Sequence, residues 1–216
     1  MATKKTTKKA SAKTTPAKKA ATKAPATKPV RMASPEELGP IQKVILASRR
    51  DGTPKFWLMK SEPDVFSIDD LARDGETTWE GVRNYTARNF MRDGMSLGDL
   101  VLYYHSNAEP PGIVGIGRIS GMAEPDPFQF NPKSPYFDAA SKKDDPRWLM
   151  VRVAFVEKFP TLVSLDRLKA DPALCNMLVV QKGQRLSVQP VEKPNFDRVR
   201  TLGAPSKSEM SDLESL

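Results

Sequence analysis

The sequence predicts an α+β fold built on a curved or closed sheet, preceded by a disordered basic tail. Three observations predict it. From residue 54 onward strand-like runs outnumber helical ones, and few alternate in the βαβ order of a doubly wound sheet. Glycines interrupt the apolar run "GIVGIG" (112–117), where they mark tight curvature or close backbone approach. The charge is also partitioned. Residues 1–31 hold nine lysines and Arg31 with no acid, so against a net charge of +8 residues 32–216 carry −2. The body is near neutral, and nothing in the totals requires a broad nucleic-acid-binding face on it.

The tail, "MATKKTTKKASAKTTPAKKAATKAPATKP", has no side chain larger than alanine with which to build a core after Met1, and Pro16, Pro25 and Pro29 interrupt any helix. Lys4, Lys5, Lys8, Lys9, Lys13, Lys18, Lys19, Lys23 and Lys28 make residues 1–31 a flexible polycation of histone-like composition. Such a segment releases counterions from a phosphate backbone without reading sequence; a solubilising spacer is the bland alternative. Residues 32–53 read as a linker with a short helix, opened by Ser34-Pro35-Glu36-Glu37 and broken at Gly39-Pro40. Asp51-Gly52 marks a turn, so the folded domain is expected over 54–202, with a frayed end over 203–216.

Within the domain, "KFWLMK" reads as a short buried strand. "SIDDLARDG" reads as a helix with Ser67 and Asp70 as a capping pair. "RNYTARNFMRDG" is helical and closes at Gly94. "GDLVLYYHS" and "GIVGIGRIS" are strands joined by a tight Pro-Pro connection, and "RWLMVRVAFVEKF" is a long β-branched and aromatic strand. Then come "SLDRLKAD" as a short helix, "PALCNMLVV" as a second, "RLSVQPV" as a late strand and "PNFDRVRTL" as the last helix.

Several chemistries are excluded. One cysteine, Cys175, allows no intramolecular disulfide and suits a reducing compartment. One histidine and one cysteine cannot build a His/Cys zinc site, so neither a metal nor a cofactor is expected. No apolar run is long enough to span a membrane, and the N-terminus lacks the apolar core of a secretory signal. "GIVGIG" matches neither the dinucleotide nor the Walker pattern. Asp69-Asp70 and Asp144-Asp145 read as cap and turn residues rather than an acid/base pair. A hydrolase would have to use His105 as its base, yet no G-x-S-x-G elbow exists, and Ser106 beside it points to the opposite strand face. Trp79, flanked by Arg83, Asn84 and Tyr85, is more suggestive. It either covers the core or belongs to a pocket for a flat ring, with a π-face to stack and amides and hydroxyls for the edge.

Four segments, "WLMKSEP" (57–63), "WEGVRNYTARNFMR" (79–92), "YYHSN" (103–107) with "GIVGIG", and "RLSVQPV" (185–191), together resemble the EVE domain family. Glu80 stands where Asp is common in that family and Thr86 where Gln is common; both keep a polar group. The resemblance implies a PUA-like fold, a small curved β-barrel with flanking short helices, and a pocket for a modified base rather than a reaction. It places Lys60, Ser61, Trp79, Arg83, Asn84 and Tyr85 in that pocket, with Tyr103, His105, Ser106 and Asn107 beside it and Ser187 and Gln189 further off. Trp79 would stack on the base. Ser61, Asn84 and Asn107 would reach its edge, and Lys60 or Arg83 would contact a phosphate or an exocyclic oxygen. His105 then becomes a neutral hydrogen-bonding group at the rim, with Asn107 on its face if the strand continues.

The function expected is non-enzymatic binding of a modified base, either a modified cytosine in DNA or a modified RNA base, by a monomer with no membrane partner. The tail would add non-specific affinity. A hydrolase using His105 and a histone-like DNA-compacting protein are the alternatives. The compartment expected is the cytoplasm or nucleoid of a bacterium or the nucleus of a eukaryote, not the exterior.

Overall fold

The computed structural model describes residues 55–204. The tail, the 32–53 helix and the C-terminal end after 204 lie outside the described residues. Six strands form one mixed sheet: β1 (Phe56–Ser61), β2 (Glu76–Trp79), β3 (Leu100–His105), β4 (Gly112–Pro125), β5 (Leu149–Ser164) and β6 (Val188–Val191). Their order across the sheet is β2-β5-β4-β3-β1-β6. Only β1 and β3 run parallel, with Ser61 opposite His105 at their shared C-terminal end.

Strand alternation sends successive side chains to opposite faces, and each face has its own helical cover. On the first face Trp57, Met59, Val101, Tyr103, Val151 and Val153 pack against helix α1 (Ile68–Asp74) and helix α2 (Tyr85–Asn89). A π-helical turn, Phe90–Gly94, follows α2 directly and adds Phe90 and Met91 to that core. On the second face Leu58, Leu102, Tyr104, Ile113, Phe159 and Val163 pack against helix α3 (Leu165–Ala170) and helix α4 (Lys193–Gly203).

The capping pair on α1 is realised in full. Ser67 Oγ accepts from the Asp70 amide at 3.1 Å, and Asp70 Oδ2 accepts from the Ser67 amide at 2.9 Å. The strand glycines also sit where backbone approaches backbone. A Cβ on Gly112 would lie 2.5 Å from the Val163 carbonyl oxygen, and one on Gly115 would lie 2.4 Å from that of Glu157. Those contacts fall where the β4–β5 register shifts, and such bulges bend the strands.

Two expectations need correction. The sheet does not close into a barrel. Closure would need β2 and β6 to pair along their length, and these edge strands, four residues each, sit at opposite ends of the sheet. "PALCNMLVV" is not a helix but two short 3-10 turns, Pro172–Leu174 and Leu178–Val180. Its buried residues Leu174, Met177 and Val179 follow spacings of three and two, which no single α-helical stripe accommodates.

Candidate functional site

The residues expected to form one pocket fall into three groups. The first lies on the α1/α2 face at the C-terminal ends of β1 and β3. Ser61 Oγ donates to the Phe66 carbonyl at 2.8 Å, and Tyr103 Oη donates to the same oxygen at 2.9 Å. Burial pushes the Tyr103 hydroxyl up to about 12, so it remains a neutral donor. Trp79 ends β2 with its ring edge-on to Tyr103, centroids 5.5 Å apart. It is 8% exposed and belongs to the core cluster of this face.

His105 completes this group in an unexpected role. Its Nε2 accepts from the Ile68 amide at 3.1 Å, one of the orphan donors at the start of α1. An accepting Nε2 makes the ring neutral, with its proton on Nδ1. Burial holds its pKa below the ordinary imidazole value, while Asp69 and Lys158 act in opposite senses. The nitrogen a general base would use is therefore engaged by backbone. Ser106 is tied to β1, its amide donating to the Ser61 carbonyl at 2.8 Å and its Oγ at 3.3 Å. Asn107 does not continue the strand. β3 stops at His105, and Asn107 turns into the left-handed region with φ of 52°. Alternation therefore does not place it beside His105.

The second group belongs to the segment after Trp79. Asn84 caps α2, its Oδ1 accepting from the Ala87 amide at 3.1 Å, which leaves its amide NH2 as the group it can offer a ligand. Arg83 is held inside the protein. Nη1 donates to Asp126 at 2.7 Å and to the Val82 carbonyl at 3.2 Å, while Nε and Nη2 both donate to the Tyr136 carbonyl. Four of its five N–H groups are thereby engaged, and it serves the shape of this segment rather than a phosphate. Tyr85 is 53% exposed; its ring stacks on that of Trp148 with centroids 4.9 Å apart, and the Arg88 guanidinium lies 4.9 Å from the centre of the Tyr85 ring. Sequence reasoning missed Asp126, Tyr136 and Trp148 as the frame of this segment. The Tyr136 ring packs where a Cβ on Gly81 would be, 2.9 Å away, and no local pattern announces a partner so distant in sequence.

The third group lies on the other face. Lys60 follows strand alternation onto the α3/α4 side, where it borders a cleft with Tyr104. The Ser187 carbonyl accepts from the Lys60 amide at 2.9 Å, which pairs the late segment with the end of β1. Gln189 sits opposite Leu58, is buried, and donates to the Leu186 carbonyl at 2.8 Å; it is part of the structure of that edge.

Comparison with known proteins decides the family. The family model described as "EVE domain" matches residues 55–202. The chain belongs to the EVE domain family. Its EVE domain is similar to human thymocyte nuclear protein 1, 43% identical over 165 residues that cover 68% of this chain and 72% of the relative. Among solved EVE-like structures, a Pseudomonas putida protein is 49% identical with a TM-score of 0.66, covering 68% of this chain and 99% of that one. The human THYN1 protein in complex with 5-methylcytosine-containing DNA is 42% identical with a TM-score of 0.65, covering 70% and 99% respectively. The six-stranded mixed sheet with short helices matches these EVE structures. Among the described residues of the EVE domain no helix is long and apolar enough to cross a membrane, and no cluster of three His, Cys, Asp or Glu could hold a metal.

Proposed function

We propose that the chain is a non-enzymatic reader of 5-methylcytosine or a related modified cytosine in DNA. The observation that carries the reading is the solved relative bound to 5-methylcytosine-containing DNA, 42% identical across almost its whole length. The α1/α2 end of the sheet is the base site, with Ser61, Trp79, Tyr103 and His105 as its wall and Asn84 at its mouth. The polar groups there are neutral donors and acceptors, which suits the edge of an uncharged ring. His105 supports the non-enzymatic reading, because its accepting nitrogen already serves the Ile68 amide.

The test compares one DNA duplex carrying a single 5-methylcytosine with the same duplex carrying cytosine, at one salt concentration, by fluorescence anisotropy. Tighter binding to the methylated duplex is expected, and equal binding rejects the reading. Asn84→Ser sharpens the test, since Ser caps helices about as well as Asn and stays neutral but removes the NH2 donor. It should weaken binding to the methylated duplex by about tenfold, the effect of losing one good hydrogen bond.

A further inference from the structure

The α3/α4 face carries a cleft of about 420 Å³ that the base site does not use. Four cations line it, Lys60, Lys169, Lys182 and Arg185, and no acid does. They come from three separate elements: the end of β1, helix α3, and the 181–185 loop, which turns at Gly183 with φ of 78°. Among the described residues none of the four is in a salt bridge. The cations of the surrounding surface behave differently: Lys158, Lys193, Arg198 and Arg200 each face an acid. Asp166 acts on the cleft only from outside, helping burial to push the Tyr104 hydroxyl up.

Lys60 is the innermost of the four. Its Nζ makes one long hydrogen bond, 3.4 Å to the Gln184 carbonyl, and lies 5.7 Å from the centre of the Tyr104 ring. Burial pulls its pKa below the ordinary lysine value, as expected for an ammonium that lacks a counter-charge. Tyr104 is 4% exposed, so the cleft has no open aromatic face on which a base could stack. A concave surface with unpaired cations and no stacking face suits phosphate. Its position suits the phosphate of a particular strand. Lys60 and Ser61 are consecutive in β1, about 3.3 Å apart along the strand, and point into the cleft and the base site respectively.

We propose that this cleft binds the phosphodiester backbone of the DNA strand that carries the recognised base. Two sites then straddle the end of β1, one taking the base and the other the backbone beside it. The proposal rests on the base-reading function and extends it to residues that function does not involve.

The test uses the full chain and the same two duplexes, with affinity measured from 50 to 200 mM salt. Lys182→Ser combined with Arg185→Ser removes two exposed cations. Each lost phosphate contact should reduce the slope of log affinity against log salt by about 0.9, so by about 1.8 for the pair, with the preference for methylated DNA unchanged. An unchanged slope in a chain that still prefers methylated DNA overturns the proposal. So does loss of the preference together with the slope, which would put the loop in the base site instead. If the unaltered chain shows no preference but the substitutions still reduce the slope, the base reading fails and the backbone cleft stands. Retention of the chain on anionic lipid vesicles through these two side chains, with the DNA slope unchanged, would assign the cleft to a membrane surface and also overturn it.

Discussion

His105 shows how a single residue can look like chemistry and act as architecture. It is the only histidine in the chain, and it sits at the mouth of a strand between a tyrosine and a serine. Alternation already separated it from Ser106. What the sequence could not supply was its partner, the Ile68 amide, which lies 37 positions away and is brought close only by the parallel pairing of β1 with β3. This role makes stability depend on pH in a defined direction. The folded state holds the ring neutral with a depressed pKa, whereas the unfolded chain protonates it near 6.5. As pH falls through that value the unfolded state takes up the proton first, so stability is lost. Above pH 7 both states are neutral and the effect vanishes. With no second histidine, the wild-type melting temperature should decline from pH 7 toward pH 5, and His105→Gln should flatten that decline. Equal slopes in the two proteins would show that His105 does not titrate in this way.

At the scale of the element, local signals were read correctly where they were local. The Ser67–Asp70 box and the apolar strands are set by residues within a few positions of one another. The closed barrel and the "PALCNMLVV" helix were misread because closure and turn type depend on edge length and on distant packing. The division of the expected pocket is an intermediate case. Alternation along β1 puts Lys60 and Ser61 on opposite faces, a fact legible in the strand itself, but the continuous segment "WLMKSEP" presents them as one unit. The glycines of β4 allow a test at this scale. Gly115 is held between the Glu157 carbonyl and the Ile68 side chain, the latter 3.0 Å from where a Cβ would stand. Backbone cannot yield as a flexible side chain can, so Gly115→Ala should cost about 1–3 kcal/mol or more, with the loss read from urea denaturation. Gly183→Ala is no equivalent control, since its φ of 78° adds strain of its own. Wild-type stability in Gly115→Ala would mean that β4 and β5 lie further apart than the structure places them.

For the whole molecule, the proposed function divides the labour between the EVE domain and the basic tail. Flipping a base out of a duplex costs a few kcal/mol. Stacking returns about 1–3 kcal/mol per base, and Trp79 is only 8% exposed. On the proposed reading the base site alone therefore roughly breaks even, and edge hydrogen bonds let it prefer one base over another without holding a duplex tightly. Ten cations in residues 1–31 can supply the missing affinity without reading sequence. If even half of them neutralise phosphates, deleting residues 1–31 should reduce the salt slope by about 4–5. Binding to methylated and plain duplexes should weaken together, because the tail contacts backbone common to both. The ratio between the two affinities belongs to the base site and should survive the deletion. Three results are distinguishable by one set of salt titrations on the full and shortened chains. A smaller slope with the ratio intact supports tail and domain as linked modules. An unchanged slope makes the tail a spacer. Loss of all binding from a chain that never distinguished the duplexes makes the tail the DNA-binding element and the protein histone-like.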